Sequence, residues 1–235
     1  MKNGKVFASA KEALFDLKDG IRLMSGGFGL CGIPENSIDE IEKMGIKNIT
    51  AISNNIGNQG KGLAKLLKKK QISKAICSYV GGNPDLEAQM LAKTVEVELV
   101  PQGTFAERMR AAGMGIRGFY TPTGAGTLIA EGKEIRIFDK PCLLELPLFA
   151  DYAIIKAEKG DLYGNLWFKE AARNFSPLMG MAAKITIAEV ETLVGLGDIP
   201  PEDVHLPGIF VQRIYQGKDY RNDIEFLKLS EGSPS

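Results

Sequence analysis

Four strand–loop–helix units follow one another in the first half of the chain, and this order limits its fold more than any other feature. Apolar runs predict strands at residues 21–25, 49–53, 74–80 and 95–100, and a helical pattern follows each of them. Such alternation is typical of a parallel sheet that is covered by helices. We therefore predict an α/β fold with an open, mainly parallel sheet and helices on both faces.

Shorter strands and more turns characterise the second half of the chain. The predicted strands are residues 134–138, 142–146, 152–157, 165–168, 185–188 and 208–214. The first two and the next two of these strands are expected to pair around turns, and a short apolar segment lies at residues 179–183. Since no repeat or linker divides the sequence, we expect residues 1–235 to form a single domain with short β-hairpins in its middle and C-terminal parts.

The loops after the four N-terminal strands are expected to meet at one edge of the sheet. In consecutive right-handed units, each loop lies at the carboxyl end of its strand, where open α/β sheets bind ligands. These loops, which are rich in glycine and amide side chains, are residues 26–34, 54–60, 81–83 and 101–103. We expect them to form one binding site, which we call the mouth.

The composition excludes several classes of function. Basic and acidic residues both number 29, so neither a nucleic-acid footprint nor a polybasic membrane anchor is indicated. Cys31, Cys77 and Cys142 are widely spaced, and the chain has a single histidine, so multi-histidine and CxxC-type metal sites are not expected. That histidine, His205, is expected to be a surface or packing residue. No signal peptide or membrane-spanning run is readable, so we expect a reducing, cytoplasmic location.

The most distinctive local motif is the glycine-rich segment that follows the first strand. Its glycines allow backbone N–H groups to approach a phosphate or a thioester arm closely. The candidate binding residues in this segment are Gly26, Gly27, Phe28, Gly29, Leu30, Cys31 and Gly32. The alternative is a tight turn with a purely structural role.

The same segment spells GxGxxG at positions 27, 29 and 32, so a dinucleotide-binding oxidoreductase is a second alternative. That class expects an acidic residue at the end of the second strand, where it holds the ribose. This chain has Ser53, Asn54 and Asn55 there instead, and Pro34 follows soon after the third glycine. The pattern therefore favours another ligand over NAD.

Uncharged amides mark further positions at the mouth. Asn54 and Asn55 end the second strand, where they can hydrogen-bond a substrate carboxylate or cap a turn. Gln102 can donate to a developing oxyanion, with a solvated loop glutamine as the alternative. Thr104, with Glu107 three residues later, is predicted to cap the following helix. No pair of a nucleophile and a base stands out in the sequence.

Specific motifs lie in a consistent order along almost the whole chain. The strongest is SGGFGLCGIPE at residues 25–35, with Asp19 and Gly20 upstream. Further motifs are residues 53–55, 78–81, 101–104, 106–108, 119–124, 172–175, 187–191 and 206–209. Together they resemble the family I CoA-transferases. Within that family the chain is most similar to A (alpha) subunits that act on succinyl-CoA and a 3-oxoacid, followed by the acetate/butyrate–acetoacetate type.

The resemblance implies a ping-pong transfer of coenzyme A between short carboxylic acids, with acyl-CoA as substrate and no permanently bound cofactor. A glutamate attacks the acyl-CoA and then carries the CoA as a thioester, which splits one difficult step into two. In this family that glutamate lies on the partner beta subunit, so we expect a heterodimer or an A2B2 heterotetramer. The resemblance assigns CoA binding to residues 26–32, oxyanion stabilisation to Gln102, and contact with the acid's carboxylate to Asn54, with Asn55 beside it.

The chain departs from the family pattern at several positions. Ser25 replaces an aliphatic residue, Ser176 replaces an asparagine, and Gly82 stands where a glutamate is usual. Residues 58–61 replace an acidic segment that contains phenylalanine. Since Gly82 and most of residues 58–61 lie in mouth loops, these departures are expected to affect the choice of acid rather than the type of reaction.

Overall fold

Parallel strands and the helices that follow them build the first half of the computed structural model, which describes residues 4–223. The strands are β1 (Arg22–Ser25), β2 (Ile49–Ile52), β3 (Ile72–Cys77) and β4 (Glu96–Leu99). The helices are α1 (Ala10–Ala13), α2 (Glu35–Met44), α3 (Ala64–Lys68), α4 (Pro84–Leu91) and α5 (Gln102–Met114). The strands pair in chain order and in parallel, which confirms the predicted units.

Local sequence explains how several of these helices begin and end. The Asn83 side chain caps α4 by accepting a hydrogen bond from Leu86 N (3.1 Å). Pro84 occupies the first helical position, where no N–H group is needed. Helices α2 and α5 end at Gly45 and Gly115, whose φ values of 67° and 72° are left-handed.

A small antiparallel sheet follows α5. It consists of β5 (Phe119–Thr121), β6 (Ile135–Ile137) and β7 (Pro141–Glu145), in the order β5-β7-β6. Strands β6 and β7 form the predicted pair around a turn.

The C-terminal part of the chain completes the main sheet. Its elements are β8 (Ala150–Asp161), β9 (Leu166–Trp167), α6 (Ser176–Ala182), β10 (Ala183–Val194) and β11 (Arg213–Gln216). The strand order is β11-β10-β8-β1-β2-β3-β4. Strand β9 is antiparallel to β8, and every other pair in this sheet is parallel. The predicted open, mainly parallel sheet is therefore shared by both halves of the chain.

Several boundaries in this part differ from those expected. Strand β8 has 12 residues, so the predicted strand at 152–157 is only its middle. The last strand begins at Arg213 rather than at residue 208, because Gly208–Phe210 forms a 3-10 turn. Most of the apolar segment at residues 179–183 belongs to helix α6, which the sequence did not reveal.

Hydrophobic residues fill both faces of the main sheet. Neighbouring residues of β1 point to opposite faces, so that Leu23 packs with α1–α4 and Met24 packs with α5 and α6. The helices thus cover both faces, as predicted. Within residues 4–223, none of them combines the length and the apolar character that a membrane crossing requires.

Candidate active site

Direct contacts join the loops at the carboxyl edge of β1–β4. The end of β2 is tied to the end of β1, since Ser53 Oγ donates to Ser25 O at 2.8 Å. Asn83 Nδ2 joins the second and third loops by donating to Ile56 O (3.0 Å) and Gly57 O (2.9 Å). The predicted mouth is therefore a connected structure rather than a set of independent loops.

The first loop, residues 26–34, folds into a closed turn. Phe28 and Cys31 exchange backbone hydrogen bonds of 3.0 and 2.9 Å across this turn. The residues between them, Gly29 and Leu30, have φ values of 51° and 77°, as primed hairpin turns require. Tight-turn geometry therefore accounts for part of the glycine content of this segment.

Some backbone N–H groups of the first loop are hydrogen-bonded, and others have no acceptor in the part of the chain that the structure describes. Gly26 N donates to Ile154 O (3.0 Å), and Gly27 N donates to Asn174 Oδ1 (3.1 Å). Within residues 4–223, no hydrogen bond is made by the N–H groups of Gly29, Leu30 and Gly32. Adjacent N–H groups of this kind can bind the oxygen of a phosphate or a carbonyl group.

A segment from the C-terminal half supports the first loop from behind. This support segment, residues 170–176, runs from a short 3-10 turn to the first residue of α6. A Cβ atom on Gly32 would lie 2.6 Å from Ala172 O, and a Cβ atom on Gly26 would collide with Ser176 Oγ. Glycine is required at position 32, because the loop there passes too close to the backbone of the support segment; at position 26 the close atom is the end of a serine side chain.

Asn54 is buried, with only 3% of its surface exposed, and it joins the side chains of Ser78 and Gln102. Its Nδ2 donates to Ser78 Oγ (2.9 Å) and to Gln102 Oε1 (3.5 Å). Its carbonyl oxygen accepts from the N–H groups of Ser78 (3.0 Å) and Tyr79 (3.2 Å). Because Oε1 of Gln102 accepts from Asn54, Nε2 of Gln102 remains to donate to another group.

Gln102 is the first residue of α5, so this helix begins earlier than expected. Phe105 N donates to Pro101 O (2.8 Å), and Thr104 is buried inside the helix. The predicted Thr104 cap is therefore wrong, because Pro101 already ends the extended backbone with φ −52° and ψ 136°. The exposed Gln102 amide thus sits at the positive end of a helix, and both features favour negative charge at the mouth.

Asn55 stabilises the backbone locally. Its Oδ1 accepts a hydrogen bond from Gly57 N at 3.2 Å, which is the turn-capping role weighed as an alternative. Its Nδ2 makes no hydrogen bond with residues 4–223. The structure therefore separates the two asparagines, since Asn54 contacts Gln102 and Asn55 does not.

The carboxylates that flank the mouth already have partners. Buried Glu35 accepts hydrogen bonds from Arg221 N (3.1 Å) and Asn222 N (2.9 Å). Glu107 pairs with Arg110 at 2.6 Å, and this hydrogen-bonded pair holds the pKa of Glu107 below its usual value. The four mouth loops themselves contain no acidic residue. Within residues 4–223, no group of His, Cys, Asp and Glu is placed to hold a metal ion.

Two other titratable groups have structural roles. Burial raises the pKa of the Cys77 thiol to about 11, so it is not a thiolate at neutral pH. His205 Nδ1 accepts a hydrogen bond from Phe168 N at 3.0 Å, and its ring stacks with that of Phe168 at 6.3 Å. His205 is therefore a packing residue, as expected.

The helix after the first loop begins too late for a dinucleotide fingerprint. In that fingerprint the glycines open the helix directly, and the pyrophosphate sits at the helix N-terminus. Here α2 begins only at Glu35, after Pro34, and a buried carboxylate occupies its first position. This geometry does not favour NAD.

These features define an α/β protein that offers uncharged hydrogen-bond donors at the carboxyl edge of its main sheet. Residues 7–217 match the family described as Coenzyme A transferase. Since the match spans most of the sequence, the chain belongs to this family and is a CoA-transferase chain.

Named relatives are similar over almost the whole length. A Helicobacter pylori (strain J99) protein, named as the A subunit of succinyl-CoA:3-ketoacid coenzyme A transferase, is 54% identical over 222 residues, which cover 94% of this chain and 96% of the relative. An Acinetobacter baylyi protein, named as the A subunit of 3-oxoadipate CoA-transferase, is 49% identical over 213 residues. The matched residues cover 89% of this chain and 93% of the relative.

A solved structure shares the fold. An acyl-CoA transferase from E. coli O157:H7, in a thioester complex with CoA, superposes with a TM-score of 0.82 at 20% identity. The match covers 93% of this chain and 48% of the E. coli chain, so this chain spans about half of that protein.

Proposed function

We propose that this chain is the alpha subunit of a two-subunit CoA-transferase that moves CoA between succinyl-CoA and a 3-oxoacid. The observation that carries the proposal is the mouth itself, which combines the Asn54–Gln102 amide pair with loops that contain no acidic residue. Such a site suits the stabilisation of an oxyanion but needs a nucleophile from elsewhere. The Helicobacter pylori relative is named as one subunit of its enzyme, which supports a partner chain here.

The reaction needs a carboxylate nucleophile, and the proposal assigns this role to a glutamate of the partner subunit. A glutamate oxygen attacks the thioester carbonyl, the C–S bond breaks, and an acyl-glutamyl anhydride and CoA thiolate form. The thiolate then attacks the glutamyl carbonyl, releases the first acid as a carboxylate and leaves CoA as a glutamyl thioester. The second acid takes up the CoA by the reverse of these steps.

This chain would contribute hydrogen-bond donors to each step. Gln102 Nε2 and the start of α5 stabilise the oxyanion of the tetrahedral intermediates, and Asn54 orients the Gln102 amide. Since Asn54 Nδ2 already donates to Ser78 and Gln102, we assign to Asn55 Nδ2 the contact with the short acid's carboxylate that the family resemblance gave to Asn54. The first-loop N–H groups of Gly29, Leu30 and Gly32, which have no acceptor among residues 4–223, bind the CoA arm.

A 3-oxoacid with a second carboxylate is a further candidate substrate. The Acinetobacter baylyi relative is named for 3-oxoadipate. Gly82 places no charge in the third loop, where related enzymes are expected to carry a glutamate, so a second carboxylate would meet less repulsion. Comparing kcat/KM for acetoacetate, 3-oxoadipate, acetate and butyrate in the same complex separates these possibilities.

The test of the proposal is CoA exchange by this chain co-purified with its partner subunit. The complex should transfer CoA from succinyl-CoA to a 3-oxoacid, and the separated chain should be inactive. Gln102→Ala should lower kcat on the order of a hundredfold, by analogy with removal of one oxyanion donor. The matched control is Gln216→Ala, an exposed glutamine on the far edge strand β11, which should leave kcat unchanged. A complex that accepts no acyl-CoA, or Gln102→Ala with full activity, would contradict the proposal.

A further inference from the structure

We propose that Asn174 is a positioning residue that holds the first loop in its CoA-binding conformation, an inference that rests on the function proposed above. Asn174 lies in the support segment, between the 3-10 turn and α6. Asn174 belongs to a motif that matches the family pattern, but the sequence indicated no role for it, because its contacts join positions that are far apart in the chain.

The Asn174 side chain clamps both sides of the first-loop turn. Its Oδ1 accepts from Gly27 N at 3.1 Å, just before the turn. Its Nδ2 donates to Cys31 O at 3.1 Å, on the other side of the turn. The turn forms without Asn174, because its own backbone hydrogen bonds close it. The Asn174 contacts instead fix the position of the turn relative to the sheet.

The same side chain is anchored to its own segment. Nδ2 also donates to Ala171 O (3.2 Å) and Ala172 O (3.1 Å), and Oδ1 accepts from Phe175 N (2.8 Å). An amide is needed because the site requires one acceptor and a donor on the same planar group. An aspartate would keep the acceptor and place a second oxygen against three carbonyl oxygens.

The backbone of Asn174 is strained, with φ 24° and ψ −120°. Residues other than glycine adopt such conformations at a free-energy cost, and they persist where surrounding contacts impose them. Here the strained backbone of Asn174 places its side chain where it can hydrogen-bond to both Gly27 and Cys31. This combination of strain and complete hydrogen bonding is typical of a functional position.

Aromatic contacts link the support segment to the first loop and to helix α5. The ring of Phe175 stacks with that of Phe28 at 6.4 Å and meets that of Phe105 edge-on at 5.6 Å. Phe28 belongs to the first loop, and Phe105 lies on α5 just after Gln102. The support segment therefore sets the first loop and the start of α5 relative to each other.

The test compares Asn174→Asp and Asn174→Gly with Asn48→Asp and Asn48→Gly in the complex with the partner subunit. Asn48 is an exposed asparagine at φ 58°, before β2 and hence at the opposite end of the strands from the mouth. Glycine tolerates the backbone of Asn174 but removes the clamp. We expect both Asn174 variants to raise KM for acyl-CoA and Kd for CoA about tenfold, with KM for the short acid within about twofold. The Asn48 variants should match the wild type.

Hydrogen exchange of residues 26–33 gives a readout that does not depend on CoA chemistry. Asn174→Gly should speed exchange of the Gly27 amide, whereas Asn174→Asp should leave it protected because Oδ1 is kept. Wild-type activity is measured first, and an inactive wild-type complex would contradict the proposed function. In that case the exchange result would still show whether Asn174 holds the first loop. Unchanged Gly27 exchange in Asn174→Gly would overturn the inference. So would Asn174 variants that bind CoA normally, or that weaken both substrates in parallel with a loss of melting temperature.

Discussion

The loops after β1 and β2 have the same backbone turn but are held by different parts of the chain. In the first loop Gly29 and Leu30 have φ values of 51° and 77°; in the second, Gln59 and Gly60 have 48° and 74°. Each turn is closed by a backbone bridge, Phe28 with Cys31 and Asn58 with Lys61. Consecutive units of the sheet thus end in nearly identical turns although their sequences differ.

The residues that hold the two loops lie at very different distances from them along the chain. The first loop is held by Asn174, which lies 147 positions after Gly27. The second is held by Asn83, which lies 26 positions after Gly57 and also caps α4. The second loop is therefore fixed by its neighbouring unit, whereas the first is fixed only once the C-terminal half has folded onto it. The comparison indicates that the first loop, to which we assign CoA binding, depends on the C-terminal half of the chain for its position.

For the comparison of the two loops, the largest effect on kcat/KM is expected from Gly32→Ala in the first loop. Its Cβ atom would lie 2.6 Å from Ala172 O at φ 71°, so the loop must move away from its support. Displacement of this kind should lower kcat/KM for acyl-CoA about 30-fold, equivalent to about 2 kcal/mol. Steady-state kinetics of the complex measures it.

The matched control for that change is Gly60→Ala in the second loop. Its φ of 74° is similar, but no atom lies within 4 Å of the added Cβ. Only the backbone penalty of about 1 kcal/mol applies, and it should appear in stability rather than in kcat/KM. Equal kinetic losses in the two variants would show that the supports do not distinguish the loops.

At Asn83, in the support of the second loop, we expect a loss of folding stability rather than of kcat/KM. Asn83→Ala removes the α4 cap and leaves the carbonyl groups of Ile56 and Gly57 without their donor, which should lower the free energy of unfolding by about 3 kcal/mol. Asn83→Ser keeps a capping oxygen but cannot reach both carbonyl groups, so its loss should be about 2 kcal/mol. Urea unfolding measures both values, and an Asn83→Ser variant as stable as the wild type would contradict the anchoring role.

The smallest effect is a pH dependence that only the support of the first loop should show. Burial, and to a lesser extent the charge of Arg173, lowers the pKa of His205, which accepts from Phe168 N close to the support segment. The unfolded chain therefore binds this proton more readily, so stability is lost as the pH falls through the usual histidine value of about 6.5 towards the lower folded value. His205→Gln should remove that slope between about pH 7.5 and 5.5.

The difference between wild type and His205→Gln isolates this contribution. Burial raises the pKa of Glu189, so that carboxyl group contributes stability that is lost as the pH rises, which is the opposite sign. Both proteins contain Glu189, and subtraction of their stability curves cancels it. Identical slopes in the two proteins would show that folding does not change the pKa of His205.

Much of the fold followed from sequence because its signals are local. Apolar runs and glycine-rich loops identified β1–β4, and their parallel pairing placed Asn54 and Gln102 at the same edge. The start of α5 was misplaced because Thr104 and Glu107 match a capping box, whereas the rigid backbone of Pro101 ends the preceding segment first.

The parts that sequence did not reveal depend on distant contacts. Helix α6 has few polar residues by which to read a periodicity, since both of its faces are packed between α5 and the sheet. Asn174 gave no signal of its own, because its importance comes from Gly27 and Cys31. The only hint was its place in the ARNF motif, which matched the family pattern without indicating a role.

The central claim is that this chain supplies hydrogen-bond donors while the partner chain supplies the nucleophile. Its direct test is to incubate the complex with succinyl-CoA, reduce the enzyme thioester with borohydride, and measure the mass of each denatured chain. We predict that a glutamate of the partner chain carries the modification and that this chain keeps its unmodified mass. A reduced glutamyl residue on this chain would contradict the account.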